Sequence, residues 1–400
     1  MIGDRMRQAR LAAGLTLDEL ARRLAASGQR ITKAGLSKYE NNRSTPKPTL
    51  LLHLGKALGI RSSAFLTEPS VSIEWLSFRR HASLSRSRQA QIKALSAKVV
   101  EAQLWLYSTL YPNQKPLFPR PTKAHDVADA EAAAEGLRKA WQLGEAPIES
   151  VTQSIEDHGG IVIGHREEGV DFDGLSGRAN RQFPIVVANL TVPPDRRRYD
   201  LSHELGHLLM EFGNLPAKRQ EELAHRFAAA FLVPDHVAKA ELGSKRRFLS
   251  MEELGLLKQK YGLSMQAWAR RARDLNIIAE SHYRSLCMTF SARGWKRQEP
   301  VPFQGQEEPT RLKQMTLRAR VEGVITQEQA EEFCPGCVKE TAATSARAPG
   351  GRPSARDLLR LPYEERDRLL AAEATEAAKD YRIGQELAAF EAFGESDFYD

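Results

Sequence analysis

Four hundred residues, 42% of them hydrophobic, are too many for one typical core, so two or three domains are expected. No stretch approaches ~18 consecutive apolar residues and the first residues lack a signal-peptide shape, which excludes a helical membrane protein and leads to the expectation of a soluble, cytoplasmic one. Three cysteines fit a reducing compartment, and the formal charge of +7 is unevenly distributed.

Thr16-Leu17-Asp18-Glu19 is a capping box opening a helix with Leu17, Leu20, Ala21 and Leu24 on one face. After Ser27-Gly28-Gln29-Arg30, a second helix starts near Thr32 and runs to Glu40. Leu36 and Tyr39 point inward, and Lys33, Ala34, Ser37 and Lys38 outward. Such a pair is a helix-turn-helix whose second helix is free to enter a major groove. Pro46-Lys47-Pro48, followed by Leu50, Leu51, Leu54 and Leu58, adds a supporting helix ended by Gly59. Residues 1–67 carry twelve Lys/Arg against four acids, a local +8 that exceeds the charge of the whole chain. Phosphate contacts dominate affinity for nucleic acid, so double-stranded DNA is the expected partner here. Residues 1–68 resemble the XRE/Cro-type helix-turn-helix. The resemblance implies base-facing roles for Lys33, Ala34, Ser37 and Lys38, and Arg43 is a further candidate DNA contact. A helical protein-interaction module is the competing reading.

Residues 69–120 read as a helical connector. Ile92, Leu95, Val99, Ala102 and Leu106 recur at helical steps, an apolar stripe for the following domain or for a second copy in a homodimer on paired half-sites. The proline-rich stretch from Tyr111-Pro112 to Pro121 breaks that helix.

The next part, residues 121–240, carries the chemistry. Gly160-Ile161-Val162-Ile163 and Pro184-Ile185-Val186-Val187-Ala188 read as short strands, separated by a Gly-rich polar connection through Gly174 and Gly177. Then comes His203-Glu204-Leu205-Gly206-His207. On a helix its two imidazoles share one face and can take adjacent corners of a tetrahedral zinc site, with Glu204 placed as general base. The run Tyr199-Asp200-Leu201-Ser202 ahead of the motif, and Leu205, Leu208, Leu209 and Met210 within and after it, supply an apolar stripe that buries one side of this helix. A catalytic zinc takes three protein ligands, and the helical stretch from Glu221-Glu222 to Pro234 offers the third. These segments resemble the ImmA/IrrE metallopeptidases, whose H-E-x-G-H motif is followed by E-x-x-A-N-x-F-A-A-x-x-L-x-P. The resemblance implies Zn2+ as cofactor and Glu221, rather than Glu222, as third ligand. Where the family has Asn this chain has His225, read either as a hydrogen-bonding replacement beside the ligands or as an alternative ligand.

Residues 241–337 read as a helical continuation of the peptidase region. Ser250-Met251-Glu252-Glu253 is a capping box, and Trp268, Ala269, Ala272 and Leu275 line a second helix. The pair reads as structural or partner-binding, or as a second helix-turn-helix offering Arg270, Arg271 and Arg273 to phosphate. Cys334-Pro335-Gly336-Cys337 is a single C-x-x-C, expected as two thiols in a loop. Residues 338–356 read as a flexible linker and 357–400 as an acidic tail, with eight acids against Lys379 and Arg382 from Ala371 onward. Its Leu361-Pro362 start and Phe/Asp-rich end resemble the neutralising segment of some antitoxins, which implies a toxin as partner. A solvated tail, or one contacting the basic N-terminal module, competes with that reading.

The expected fold is multidomain and mainly α: an all-α helix-turn-helix domain, then an α+β zincin-like metallopeptidase domain with a small sheet and a following helical region. The expected function is that of a DNA-binding regulator whose zinc endopeptidase domain cuts a repressor or antitoxin. The alternative is a non-proteolytic DNA-binding regulator or antitoxin.

Overall fold

The computed structural model describes residues 2–67, 71–78, 85–166, 172, 174–296, 298–337 and positions 366–368, 370, 371 and 374. The described residues 2–337 belong to one compact unit, and the chain divides after residue 338. The linker and nearly all of the acidic tail lie outside the described residues.

The N-terminal helices are α1 (Ile2–Ala12), α2 (Leu17–Ala26), α3 (Lys33–Glu40) and α4 (Pro48–Leu58). Thr16 and Glu19 form the expected capping box, the Thr32 hydroxyl accepts from the Gly35 amide, and Gly59, at φ 67°, ends α4. Met6, Leu20, Leu24, Leu36, Leu54 and Phe65 fill the core between them. A buried bidentate pair joins α1 to α3: Arg10 Nε and Nη2 donate to Glu40 Oε1 and Oε2 at 2.6 and 2.8 Å.

The sheet has the order β1 (Ile73–Phe78), β4 (Gly174–Ala179), β5 (Phe183–Asn189), β3 (Ile161–His165), with β3 and β5 parallel and the other pairs antiparallel. The inner strands β3 and β5 are apolar on both faces because both are covered, whereas the edge strand β1 leaves Glu74 and Leu76 exposed. Ile161, Ile163, Leu175, Ile185 and Val187 pack against α5 (Arg86–Leu110) through Ile92, Val100 and Leu104. Val162, Val186 and Ala188 join the larger core under the helices that follow. The apolar side of α5 is covered by this sheet at Ile92, Val100 and Leu104, while Leu106 and Tyr107 pack against Met315, Ala319 and Ile325. Two strands depart from the sequence reading. β1 lies among residues read as a helical connector, and β4 occupies the supposed Gly-rich connection. Its glycines answer to tertiary contacts: a Cβ on Gly177 would lie 2.7 Å from the Glu74 carbonyl oxygen, and one on Gly174 2.8 Å from Glu204 Cγ.

In chain order the remaining elements are β2 (Thr122–Lys123), α6 (Val127–Ala140), α7 (Val151–Asp157), α8 (Pro194–Leu209), β6 (Met210–Glu211), α9 (Ala217–Leu232), α10 (Asp235–Leu242), α11 (Met251–Tyr261), α12 (Met265–Asp274), α13 (Glu280–Ala292), α14 (Arg311–Val321) and α15 (Gln327–Phe333). Arg271 on α12 is fully buried, paired with Glu131 and donating to the Val233 carbonyl, so it is not offered to phosphate. The turn at Gly336, φ 72°, brings the Cα atoms of Cys334 and Cys337 to 5.4 Å and their sulfur atoms next to one another. No described helix is long and apolar enough to cross a membrane.

Three buried carboxylates pin the chain between α13 and α14 to the body, each at a helix start where backbone N–H groups lack intrahelical partners. Glu299 accepts from the Met265 and Gln266 amides on α12. Glu307 accepts from Val151 and Thr152 on α7. Glu156 accepts from Thr310 and Arg311 at the start of α14. Burial dominates at Glu156 and raises its pKa from 4.5 to about 7, against the pull of these two donors. The folded state thus binds this proton more tightly than the unfolded chain. The stability it supports is complete below pH 4.5 and is lost as pH rises through about 7, roughly 3 kcal/mol in all. Glu156→Gln keeps an acceptor and cannot ionise. Its melting temperature should match wild type near pH 5 and exceed it by several degrees near pH 8; an equal difference at both pH values contradicts the assignment.

Candidate metal centre

Pro193 and Pro194 open α8, where the missing N–H groups cost nothing, and the helix then carries His203, Glu204 and His207 across the floor of the sheet. Pro216 precedes α9, which carries Glu221. The two helices touch at small residues. A Cβ on Gly206 would lie 3.3 Å from both Ala224 Cα and Phe227 Cβ, so α8 and α9 approach closely one turn away from Glu221. The β2–β6 pairing holds the chain just beyond α8, and the Arg178 guanidinium donates to the Leu208 carbonyl at its last turn.

This crossing brings three donor atoms together. His203 Nε2 and His207 Nε2 are 3.1 Å apart, His203 Nε2 is 3.2 Å from Glu221 Oε2, and His207 Nε2 is 3.4 Å from Glu221 Oε1. Tetrahedral zinc with bonds of about 2.0–2.2 Å sets donor–donor edges of about 3.3–3.6 Å, so two imidazole nitrogens and one carboxylate oxygen fit that ion with small adjustment. The Glu221 side chain is 38% exposed while that of His203 is 1% exposed, so the group is walled on the helix side and open on the carboxylate side. Burial opposes ionisation of Glu221, but hydrogen bonds with His203 and His207 outweigh it and hold the carboxyl well below the usual range. Glu222 turns away and pairs with Arg219 at 3.1 Å.

Glu204 is buried against the first residue of β4, where a Cβ on Gly174 would meet its side chain. His225 stands beside the trio without joining it. Its ring centroid is 4.4 Å from that of His203, and its Nδ1 is 3.2 Å from the Tyr199 hydroxyl. Sequence reading missed Gly174 and the role of Tyr199. The signal for Tyr199 was its position one turn before His203 on the same helix.

In the N-terminal module Lys33, Ala34, Lys38 and Arg43 are exposed and Ser37 is half-buried, with Leu36 inward as expected. Lys33 Nζ lies 2.7 Å from Asp18 Oδ2, both solvent-facing. The candidate ligands and the candidate DNA-facing residues thus sit on separate elements of the compact unit.

A helix-turn-helix joined to a mainly helical domain, with an H-E-x-x-H helix laid under a small sheet, defines a DNA-binding protein with a metallopeptidase-like module. The comparisons agree: residues 6–65 match the family described as Helix-turn-helix, and residues 162–273 match the peptidase family described as IrrE N-terminal-like domain. Along the chain, a segment similar to an XRE-type helix-turn-helix is thus followed by one similar to an ImmA/IrrE-like peptidase domain. No curated protein matches it.

If the trio holds the ion and His225 does not, His207→Ala should lose stoichiometric zinc after dialysis, whereas His225→Asn, which restores the family residue, should retain it. Metal analysis by mass spectrometry decides this. Loss of zinc in His225→Asn would make His225 a ligand.

Proposed function

We propose that this protein is a zinc-dependent endopeptidase that hydrolyses a peptide bond in a regulatory protein, a repressor or antitoxin, and that its N-terminal module brings it to DNA. The observation that carries this reading is the convergence of His203, His207 and Glu221 with Glu204 buried beside them, since a module kept only for binding has no use for the base.

Zinc held by His203, His207 and Glu221 would act as a Lewis acid, lowering the pKa of a water to about 7 and polarising the scissile carbonyl. The chain's own residues do the rest. Glu204 accepts a proton from the attacking water as its oxygen bonds to the carbonyl carbon. The same carboxyl then returns the proton to the amide nitrogen as the C–N bond breaks. Gly174 leaves the space in which this side chain lies against β4. Tyr199 holds the His225 ring against His203, as a positioning contact for that ligand. On the DNA side, Lys33, Ala34, Ser37 and Lys38 face the groove and Arg43 lies just beyond the recognition helix, so binding near an operator raises the local concentration of protease around a DNA-bound target.

Glu204→Gln preserves the ligands and removes the proton acceptor, which should slow hydrolysis about a hundredfold or more. Comparing protein abundances in cells carrying wild type or Glu204→Gln should reveal a protein that accumulates only with the variant. Matched abundances under every stress applied would contradict the peptidase reading and favour a regulator that only binds DNA or a toxin.

A further inference from the structure

Two cavities adjoin the metal centre, of about 480 and 440 Å³, and Tyr199, His225, Ala267 and Arg270 line both. Sharing these four residues, the two cavities are taken together as one groove, which approaches the candidate centre through the His225 ring, 4.4 Å from that of His203, with none of the three candidate ligands in its walls. The first is aromatic as well as charged, with Tyr199, Tyr283, Trp295 and Phe303 in its walls. Its cations are Arg196 and Arg270, whose side chains are 48% and 45% exposed and each lie 3.8 Å from a carboxylate, Asp200 and Asp274, and exposed Lys296. The acids lining it, Asp195 and Glu299, are buried and both engaged by Lys258 Nζ at 2.9 Å. In the second cavity Glu222 is held by Arg219 at 3.1 Å, and Asp274 is shared among Arg226, Arg270 and Arg273. Acids in the groove are neutralised by the protein itself, while cations on several elements still face solvent.

We propose that this groove is the specificity subsite and that it selects segments rich in Asp and Glu interspersed with aromatic residues. The inference rests on reading the neighbouring centre as a peptidase. A carboxylate reaching Arg270 gains a charge-assisted hydrogen bond in a partly desolvated wall, whereas a Lys or Arg there meets like charge. Aromatic residues between the acids fit the Tyr283 and Trp295 surface, where stacking and apolar burial add to affinity. Arg196 on α8, Arg270 on α12 and Lys296 in the turn after α13 are held by separate elements, so the preference is built into the fold.

The test uses full-length, zinc-loaded Glu204→Gln protein and fluorescein-labelled short peptides of one length: one of Asp/Glu with Phe, one of Ser/Gly with Phe, and one of Lys/Arg with Phe. Anisotropy at low and raised salt measures binding. The acidic peptide should bind roughly tenfold tighter than the neutral one, with the advantage shrinking in salt. Arg196→Glu combined with Arg270→Glu should abolish that advantage, and Lys296→Glu alone should reduce it, with circular dichroism and zinc content unchanged in both. Equal binding of acidic and neutral peptides overturns the proposal. So does an acidic preference that survives these substitutions, because the basic N-terminal module would then be the binder. Hydrolysis plays no part in this readout, so wild type that binds the acidic peptide through the groove yet cleaves nothing would count against the peptidase reading alone.

Discussion

The close approach of α8 and α9 at Gly206 and Ala224 is the constraint on which the candidate centre depends. Two histidines one turn apart on a helix supply adjacent corners of a metal site whatever lies around them. The third corner must come from another element at a fixed distance. With larger residues at the crossing the helix axes would separate, and the Glu221 oxygens would leave the 3.2–3.4 Å range from the imidazoles. Phe227 and Phe231, buried on the same α9 face, hold the helix in place once it has approached. Roughly 1.5–3 kcal/mol of burial per such side chain supplies the rigidity a ligand set needs.

The sheet and the carboxylate anchors serve that crossing. β4 contributes little side-chain bulk where it passes α8, and this lets Glu204 lie flat against it while Leu175 turns to the opposite face and packs under α5. Glu299 and Glu307 fasten the chain after α13 to the starts of α12 and α7, and Arg198 within α8 lies 3.5 Å from Glu307. Helix starts are satisfied here by buried acids from distant sequence, so the wall around the groove is held by charge-assisted hydrogen bonds as well as by apolar contact. The same helix α5 that covers the sheet also meets the DNA-binding module. Arg5 Nη1 lies 2.6 Å from Glu101 Oε2, and the Gln91 amide donates to the Ala12 carbonyl. Arg61 of that module pairs with Glu332 on α15.

What was legible in the sequence was local. The capping box at Thr16 and Glu19, a left-handed glycine after α4 and H-E-x-x-H spacing are short-range devices that appear at their expected residues, whereas of the box expected at Ser250 only the Ser250 half forms, because the Glu253 carboxylate is taken by Arg246. Illegible features depended on partners far along the chain. Gly174 and Gly177 read as turn residues because their reason, the proximity of Glu204 and Glu74, exists only after folding. Arg271, offered to phosphate only in the alternative reading of this pair as a second helix-turn-helix, is a buried anchor held by a bidentate carboxylate from Glu131. The anchoring roles of Glu156, Glu299 and Glu307 were hidden likewise, since an isolated acid in a polar stretch carries no mark of the helix it will cap. His225 was identifiable as a departure from the family pattern. Its place beside the ligands, fixed by Tyr199, required coordinates.

Zinc K-edge X-ray absorption on the purified, zinc-loaded protein addresses the central claim most directly, because it reads the ligand atoms themselves. The account predicts a four-coordinate nitrogen/oxygen shell at about 2.0–2.2 Å with the outer-shell scattering of two imidazoles. A sulfur shell near about 2.3 Å, or scattering from three imidazoles, would contradict it.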